Sequence, residues 1–375
     1  MSEMRRLHYV DNLRVTCMLL GILVHVTTLG DFGAFGLVAE FSDMFRMATF
    51  FMISGFLGIM LYRRYGTRRF LGNRMRNLAV PLISSLLLLN PVTLLLVFRY
   101  HNAAAWPDAG FPEVWQALNG SIPARGRMVW HLHLWFLFSL IAYICCVPLV
   151  SGGAARLAAW LSGLGLMHWR GGVLVPSVLA FGVTGLIVTM VVLLRLAGPQ
   201  VSETWLIRAT LVYSPFFLLG MMFFCSEFLW QAAQRVDLPL LAVLVLLMAV
   251  QQLVPLSGTI EGALSQVVLA LQRCWISFAL LALFHRWIDR RNDLSDLLSR
   301  SIYTVYLFHY LIIYLLATLW VQVLPMDKTA FVAISVATAM AGILLHSLVI
   351  ERIPLLNFLF NGKLVAQAEA VRKST

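Results

Sequence analysis

Charge is what this sequence most conspicuously lacks. Only 12% of its 375 residues are Asp, Glu, Lys or Arg, against roughly 25% in a soluble globular chain. With 60% of residues hydrophobic, a water-exposed fold is excluded and a polytopic membrane protein is implied. Other absences narrow the class. Met-Ser-Glu-Met-Arg-Arg runs into an apolar segment with no small-residue cleavage pattern, so the first helix is expected to be retained. The five cysteines (Cys17, Cys145, Cys146, Cys225, Cys274) all fall in apolar runs without C-x-x-C spacing, which points to small buried hydrophobes rather than metal ligands. No internal repeat is evident, which weakens a transporter built from inverted halves. No heptad seam is present either, so the oligomeric state is left open.

What charge there is has a pattern. A net charge of +11 and a pI near 9.9 raise nucleic acid as a partner, but the basic residues lie in short loops between apolar runs, as the positive-inside rule expects. Nucleic-acid binding is set aside on that ground. Apolar spans are expected at about 12–30, 44–62, 78–98, 132–150, 173–196, 208–230, 238–254, 264–285, 301–323 and 329–350. The expected fold is therefore all-α, with about ten transmembrane helices in a single domain over residues 1–375. One side collects 19 of the 28 basic residues, so both termini are expected to be cytoplasmic. The stretch Ser151 to Arg170 reads as a short interfacial helix, and the segment from about 99 to 131 is the longest outer connection.

Five constellations carry possible chemistry. Arg14 and His25 lie eleven residues apart in the first span, which puts them on one helix face with a rise of roughly 16 Å. Ionisable groups inside an apolar span are functional candidates by default, because they forfeit hydration. Asp11, three residues before Arg14, can hold its guanidinium, a group suited to bidentate phosphate contact. His25, about two-thirds of the way across, is a candidate general base. The second constellation is Phe45 to Phe56, with Arg46 at the outer start of a span and the small pair Ser54-Gly55 near its middle. Ser54-Gly55 reads equally as a packing notch or as a close approach for a ligand. Third comes the run Arg63-Arg64, Arg68-Arg69, Arg74 and Arg76, six arginines with no lysine in fourteen residues, which suits specific phosphate contact as well as topology. His131-Leu-His133-Leu-Trp135 is the fourth. Residues two apart sit about 200° around a helix, so metal binding is not expected and His133 is the one that faces an interior cleft at the level of His25. The fifth, Ser299 to His309, places His309 within the first turns of another span.

These segments, in this order, resemble the acyltransferase-3 family of integral-membrane acyltransferases. Arg14 and His25 are similar to its first-helix signature, Phe50-Phe-Met-Ile-Ser-Gly-Phe56 to its second-helix motif, and Tyr306-Leu-Phe-His309 to its late helix. Within the family, His133-Leu-Trp-Phe-Leu, Pro215-Phe-Phe-Leu-Leu-Gly220 and Arg352-Ile-Pro-Leu-Leu-Asn-Phe-Leu-Phe-Asn-Gly-Lys363 look most like the branch that succinylates periplasmic glucans. One departure stands out. The family often has two arginines three apart before the proline opening the third span, and the matching places here hold Arg74 and Asn77, with Arg76 one step off.

The resemblance implies an acyl-CoA donor from the cytoplasm (succinyl-CoA favoured, acetyl-CoA the other candidate), a periplasmic glucan acceptor, no metal, and a place in the bacterial inner membrane. His25 is then the catalytic residue, as general base or transient acyl carrier. Arg14, Arg69, Arg74 and Arg76 take the nucleotide end of the donor. Asp11, Arg46, Ser54, His133, Trp135 and His309 are supporting residues, with Arg46 as partner for a succinyl carboxylate. Two alternatives stay open: O-acetylation of another exported polysaccharide, lipid or small molecule, and, in a different class, transport of an anionic solute.

Overall fold

A computed structural model describes residues 7–164, 174–202, 204–235, 259–289 and 293–363. The described residues form helices and turns and no strands. Among the described residues eight helical stretches are long and apolar enough to cross a membrane, and the protein is a multi-pass membrane protein. The expected span at 238–254, together with His168 and Arg170, lies outside the described residues.

Helix α1 runs from His8 to Val26, with Asp11 in its first turn, where a carboxylate suits the positive end of the helix dipole. At its far end two threonines bond backward. The Thr27 hydroxyl donates to the Val24 carbonyl and the Thr28 hydroxyl to the His25 carbonyl, each at 2.7 Å. A single 3-10 turn, Thr27–Leu29, follows. Helix α2 spans Ala34–Ser84 and breaks only at Gly66, whose φ of 71° and ψ of 167° no helix contains. With the π turn Ser85–Leu89 and α3 (Asn90–Asn102) it makes a helical stretch of 69 residues, holding both expected spans at 44–62 and 78–98. The connection after α3 carries a short helix, α4 (Phe111–Leu118). Helix α5 covers Trp135–Gly163. It absorbs the described part of the stretch read as a separate interfacial helix: nothing before Gly163 stops it, since Pro148 sits inside it.

Then come α6 (Leu174–Leu196), α7 (Pro199–Ser202), α8 (Trp205–Cys225), α9 (Glu227–Ala233), α10 (Thr259–Trp287), α11 (Asp293–Trp320), α12 (Lys328–Leu345) and α13 (Pro354–Asn361). The chain condenses into two compact units. The first comprises Met1–Cys17, Asp43–Leu71 and Ala142–Asn292; the second comprises Met18–Ser42, Gly72–Ile141 and Asp293–Thr375.

In the first unit, α6 packs against α8 and α10. Its tightest crossing joins α2 to α8. A Cβ on Gly55 would collide with the Phe217 carbonyl, and one on Gly220 would collide with the Met52 carbonyl. Two small residues thus let two backbones touch, and Ser54-Gly55 acts as a helix-packing notch. Tyr143 closes this crossing, edge-on to Phe51 at 5.1 Å between ring centroids. Cys17 and Cys274 are buried, but Cys145 and Cys146 are exposed on α5. Hydropathy cannot separate these cases, because a lipid-facing surface is as apolar as a core.

In the second unit, α11 packs along α12 and α3. Gly342 on α12 lets that helix approach Val305, and the buried Thr304 hydroxyl meets His346 Nδ1 at 2.7 Å. Helix α13 docks through Phe360 onto Phe308, 4.8 Å between centroids.

Candidate active site

The second unit brings three histidines together from three distant parts of the sequence. The ring of His25, in the last turn of α1, lies 5.0 Å from that of His309 and 6.3 Å from that of His133, and the His133 and His309 rings are 4.7 Å apart. Tyr310 forms the wall of this cluster, edge-on to His25 at 4.9 Å and stacked on His133 at 5.3 Å. His133, His309, Tyr306 and Tyr310 are all buried, whereas His25 is partly exposed.

Each ring is aimed by its own local structure. His309 Nδ1 stands 2.6 Å from the Tyr306 carbonyl. A carbonyl only accepts, so Nδ1 carries the proton and, in the neutral ring, Nε2 carries the lone pair. His133 is presented from the 3-10 turn Leu132–Leu134, ahead of α5. Leu132 holds a left-handed φ of 44°, a costly conformation for a bulky residue. The surrounding bonds hold it there. Leu132 N–H donates to the Val129 carbonyl at 3.0 Å, Leu134 N–H to the His131 carbonyl at 2.8 Å, and the Tyr306 hydroxyl to the His133 carbonyl at 3.0 Å. The 200° argument assumed an intact α-helix, and here a 3-10 turn stands in its place; His133 reaches the cluster from that turn. Both of its ring nitrogens are buried, with the Tyr306 and Leu307 backbone beside the ring.

A line of polar groups leads away from the cluster. Thr28 spends its one proton on the His25 carbonyl, so the Tyr314 hydroxyl, 3.0 Å away, donates to Thr28. Tyr314 then accepts from His101 Nε2, also at 3.0 Å. The connection between α3 and α5 is pinned beside this line. The Asn102 side chain bonds both Arg125 N–H (2.8 Å) and Arg125 carbonyl (3.1 Å), and Asn90 donates to the Trp130 carbonyl at 2.8 Å.

The other sequence candidates fall as follows. Arg14 pairs with Asp11 at 3.7 Å, in the first unit, and α1 carries on without interruption from Arg14 to His25. Arg46 pairs with Asp43 at 3.2 Å, and Ser54 is half-buried beside Gly55, both in the first unit. Arg69 is exposed in the first unit, while Arg74 and Arg76 are half-buried in the second. Arg76 is already engaged, its Nε donating to the Gly362 carbonyl at 3.0 Å. Trp135 opens α5, two residues beyond His133. Among the described residues no group of three His, Cys, Asp or Glu side chains is arranged to hold a metal ion. Sequence reasoning gave no role to Tyr310 or Tyr314; with Tyr306 they recur every four residues on α11, a one-face stripe easily read as apolar packing.

The acyltransferase domain of the acyltransferase-3 family matches residues 7–348 of this chain. The chain belongs to that family. It is a membrane acyltransferase. Similar family members include glucans biosynthesis protein C from Escherichia coli O81 (strain ED1a) and from Escherichia coli strains SMS-3-5 / SECEC and K12 / DH10B. Each is 22% identical over 388 aligned positions that cover 97% of this acyltransferase and 97% of the relative. No solved structure matches.

Proposed function

We propose that this acyltransferase moves an acyl group, succinyl, from a coenzyme A thioester to a hydroxyl of a periplasmic glucan, in the bacterial inner membrane. The observation that carries the reading is the convergence of His25, His133 and His309 within 4.7 to 6.3 Å of one another in a tyrosine-walled cluster. His25, the partly exposed member, takes the proton of the acceptor hydroxyl as its oxygen attacks the thioester carbonyl. The carbon–sulfur bond then breaks, and the proton passes to the thiolate, so that ester and free thiol form in equal amounts. His309 supports this step with a fixed tautomer, and His133 supplies a buried imidazole for the reacting groups. Arg74, half-buried in the same unit as the three histidines, is a cation for the donor's phosphates. The relatives' name, glucans biosynthesis protein C, supports glucan as acceptor.

Purified protein supplied with glucan and either succinyl-CoA or acetyl-CoA tests this reading. Expected are release of free thiol, a matching gain in glucan mass, and loss of both on His25→Ala. Wild-type protein that releases no thiol from either thioester overturns the donor, and thiol release with an unaltered glucan overturns the acceptor.

A further inference from the structure

Helix α10 carries a polar pair, Gln272-Arg273, inside an otherwise apolar run. A guanidinium at membrane depth is expensive and marks a functional position unless something neutralises it. Arg273 lies over the ring of Tyr213, its Cζ 5.5 Å from the centroid. Four residues on, Ser277 bonds Thr49 of α2 at 2.8 Å. Arg46 stands one turn before Thr49 and is paired with Asp43 at 3.2 Å, its side chain only 12% exposed. Arg46, Arg273 and Asp43 all act electrostatically on Tyr213. Two arginines and one aspartate of the first unit therefore lie within electrostatic reach of one tyrosine.

Hydrogen bonding leaves this group incomplete. The Nε atoms of Arg46 and Arg273 are buried without a partner, and so are both amide atoms of Gln272, a residue 1% exposed. Orphaned buried donors carry the desolvation penalty with no bond to offset it, the more so when charged, and such groups call for an explanation. Two guanidinium groups against one carboxylate leave about one positive charge, and the open atoms are mainly N–H donors. A second carboxylate answers both needs, since its two oxygens match a guanidinium fork and its single charge closes the balance. A phosphate dianion would overshoot that balance.

We propose that Arg46, Arg273 and Gln272 form a carboxylate-binding site in the first unit. The carboxylate has two sources of the same chemistry: the free end of a dicarboxylic acyl group, which rests on the reading given under Proposed function, or a separate small organic acid.

The experiment uses full-length protein purified in detergent. Thermal unfolding is followed with succinate and with its neutral diamide. Succinate, not the diamide, should raise the unfolding temperature of the wild type, and Arg273→Gln and Gln272→Leu should abolish the shift. Gln272→Leu removes an unbonded amide, so it keeps the fold if Arg273→Gln does not. In parallel, kcat/KM is measured for succinyl-CoA and acetyl-CoA. A fall of about tenfold or more in the succinyl-to-acetyl ratio in Gln272→Leu assigns the site to the acyl chain; an unchanged ratio with a lost succinate shift assigns it to a free acid. Equal shifts in wild type and variants, with an unchanged ratio, overturn the proposal. Failure of the wild type to use either thioester is a different result, which overturns the donor reading and leaves the succinate arm to decide the site.

Discussion

His309 Nδ1 lies 2.6 Å from the carbonyl of Tyr306, one turn earlier on the same helix. That bond fixes which imidazole nitrogen is left for chemistry, and it makes two near-isosteric replacements informative. The Asn amide nitrogen overlays Nδ1 and the Gln amide overlays Nε2. His309→Asn keeps the bond to Tyr306 but loses the working atom, and it should cut kcat by about 100-fold or more with little change in unfolding temperature. His309→Gln should be less stable yet more active than the Asn variant. Steady-state rates together with thermal unfolding read both; the reverse order of activities would place the function at Nδ1.

The crossing of α2 and α8 predicts a stability cost confined to two glycines. Gly55→Ala and Gly220→Ala each push a methyl group into a backbone carbonyl, and each should lose about 1–3 kcal/mol or more, as expected for overpacking. Gly182→Ala on α6, an exposed site with nothing within 4 Å, should be neutral or slightly stabilising. Unfolding temperatures in one detergent decide this, and equal losses at all three sites would remove the special status of the crossing.

Arg74 and Arg76 should separate kinetically. Arg76 bonds the Gly362 carbonyl through Nε, and Gly362, at φ 66°, is packed against the Arg76 backbone. Arg76→Ala should therefore release the end of α13 and lower stability by about 1 kcal/mol. Arg74→Ala should instead raise KM for acyl-CoA about tenfold, the loss of one charge-assisted contact. Identical effects of the two substitutions on KM and on unfolding would refute the division.

His131, just before the strained Leu132 turn, gives a pH signature. Its burial, with a smaller contribution from Arg127, holds the ring below the ordinary histidine range, against the opposing effect of its bond to the Leu132 carbonyl. The unfolded chain thus binds a proton more readily than the folded one. Stability from this group is complete above about pH 6.5 and is lost as pH falls through the lower folded value. His131→Asn retains a donor for the carbonyl and should show a flatter decline in unfolding temperature between about pH 7 and pH 5; parallel curves would exclude His131 as the source.

Much of this arrangement was legible in the residues. The Asp11–Arg14 pair follows from i,i+3 spacing, His25 from its place in an apolar run, and the choice of His133 over His131 from depth. Other features were not legible, for definite reasons. Periodicity cannot announce a leucine at φ 44°, so the turn that presents His133 was expected as ordinary helix. Hydropathy divides at arginines while the backbone does not, so α2 continues through the arginine run with a single break at Gly66. Gln272 and Arg273 were passed over inside a long apolar span, because their interest lies in unmet hydrogen bonds, which only coordinates reveal.

The pinned connection after α3 has a practical side. Its bonds fall at Ala109, Arg125 and Trp130, leaving Asn119, Gly120 and Ser121 as an exposed tip whose contacts are with its own neighbours. An epitope inserted between Gly120 and Ser121 therefore gives a handle that leaves the histidines undisturbed. Stained on intact cells and again after permeabilisation, it reports which side of the membrane this connection faces, and with it the sidedness of every helix whose order along the chain is known.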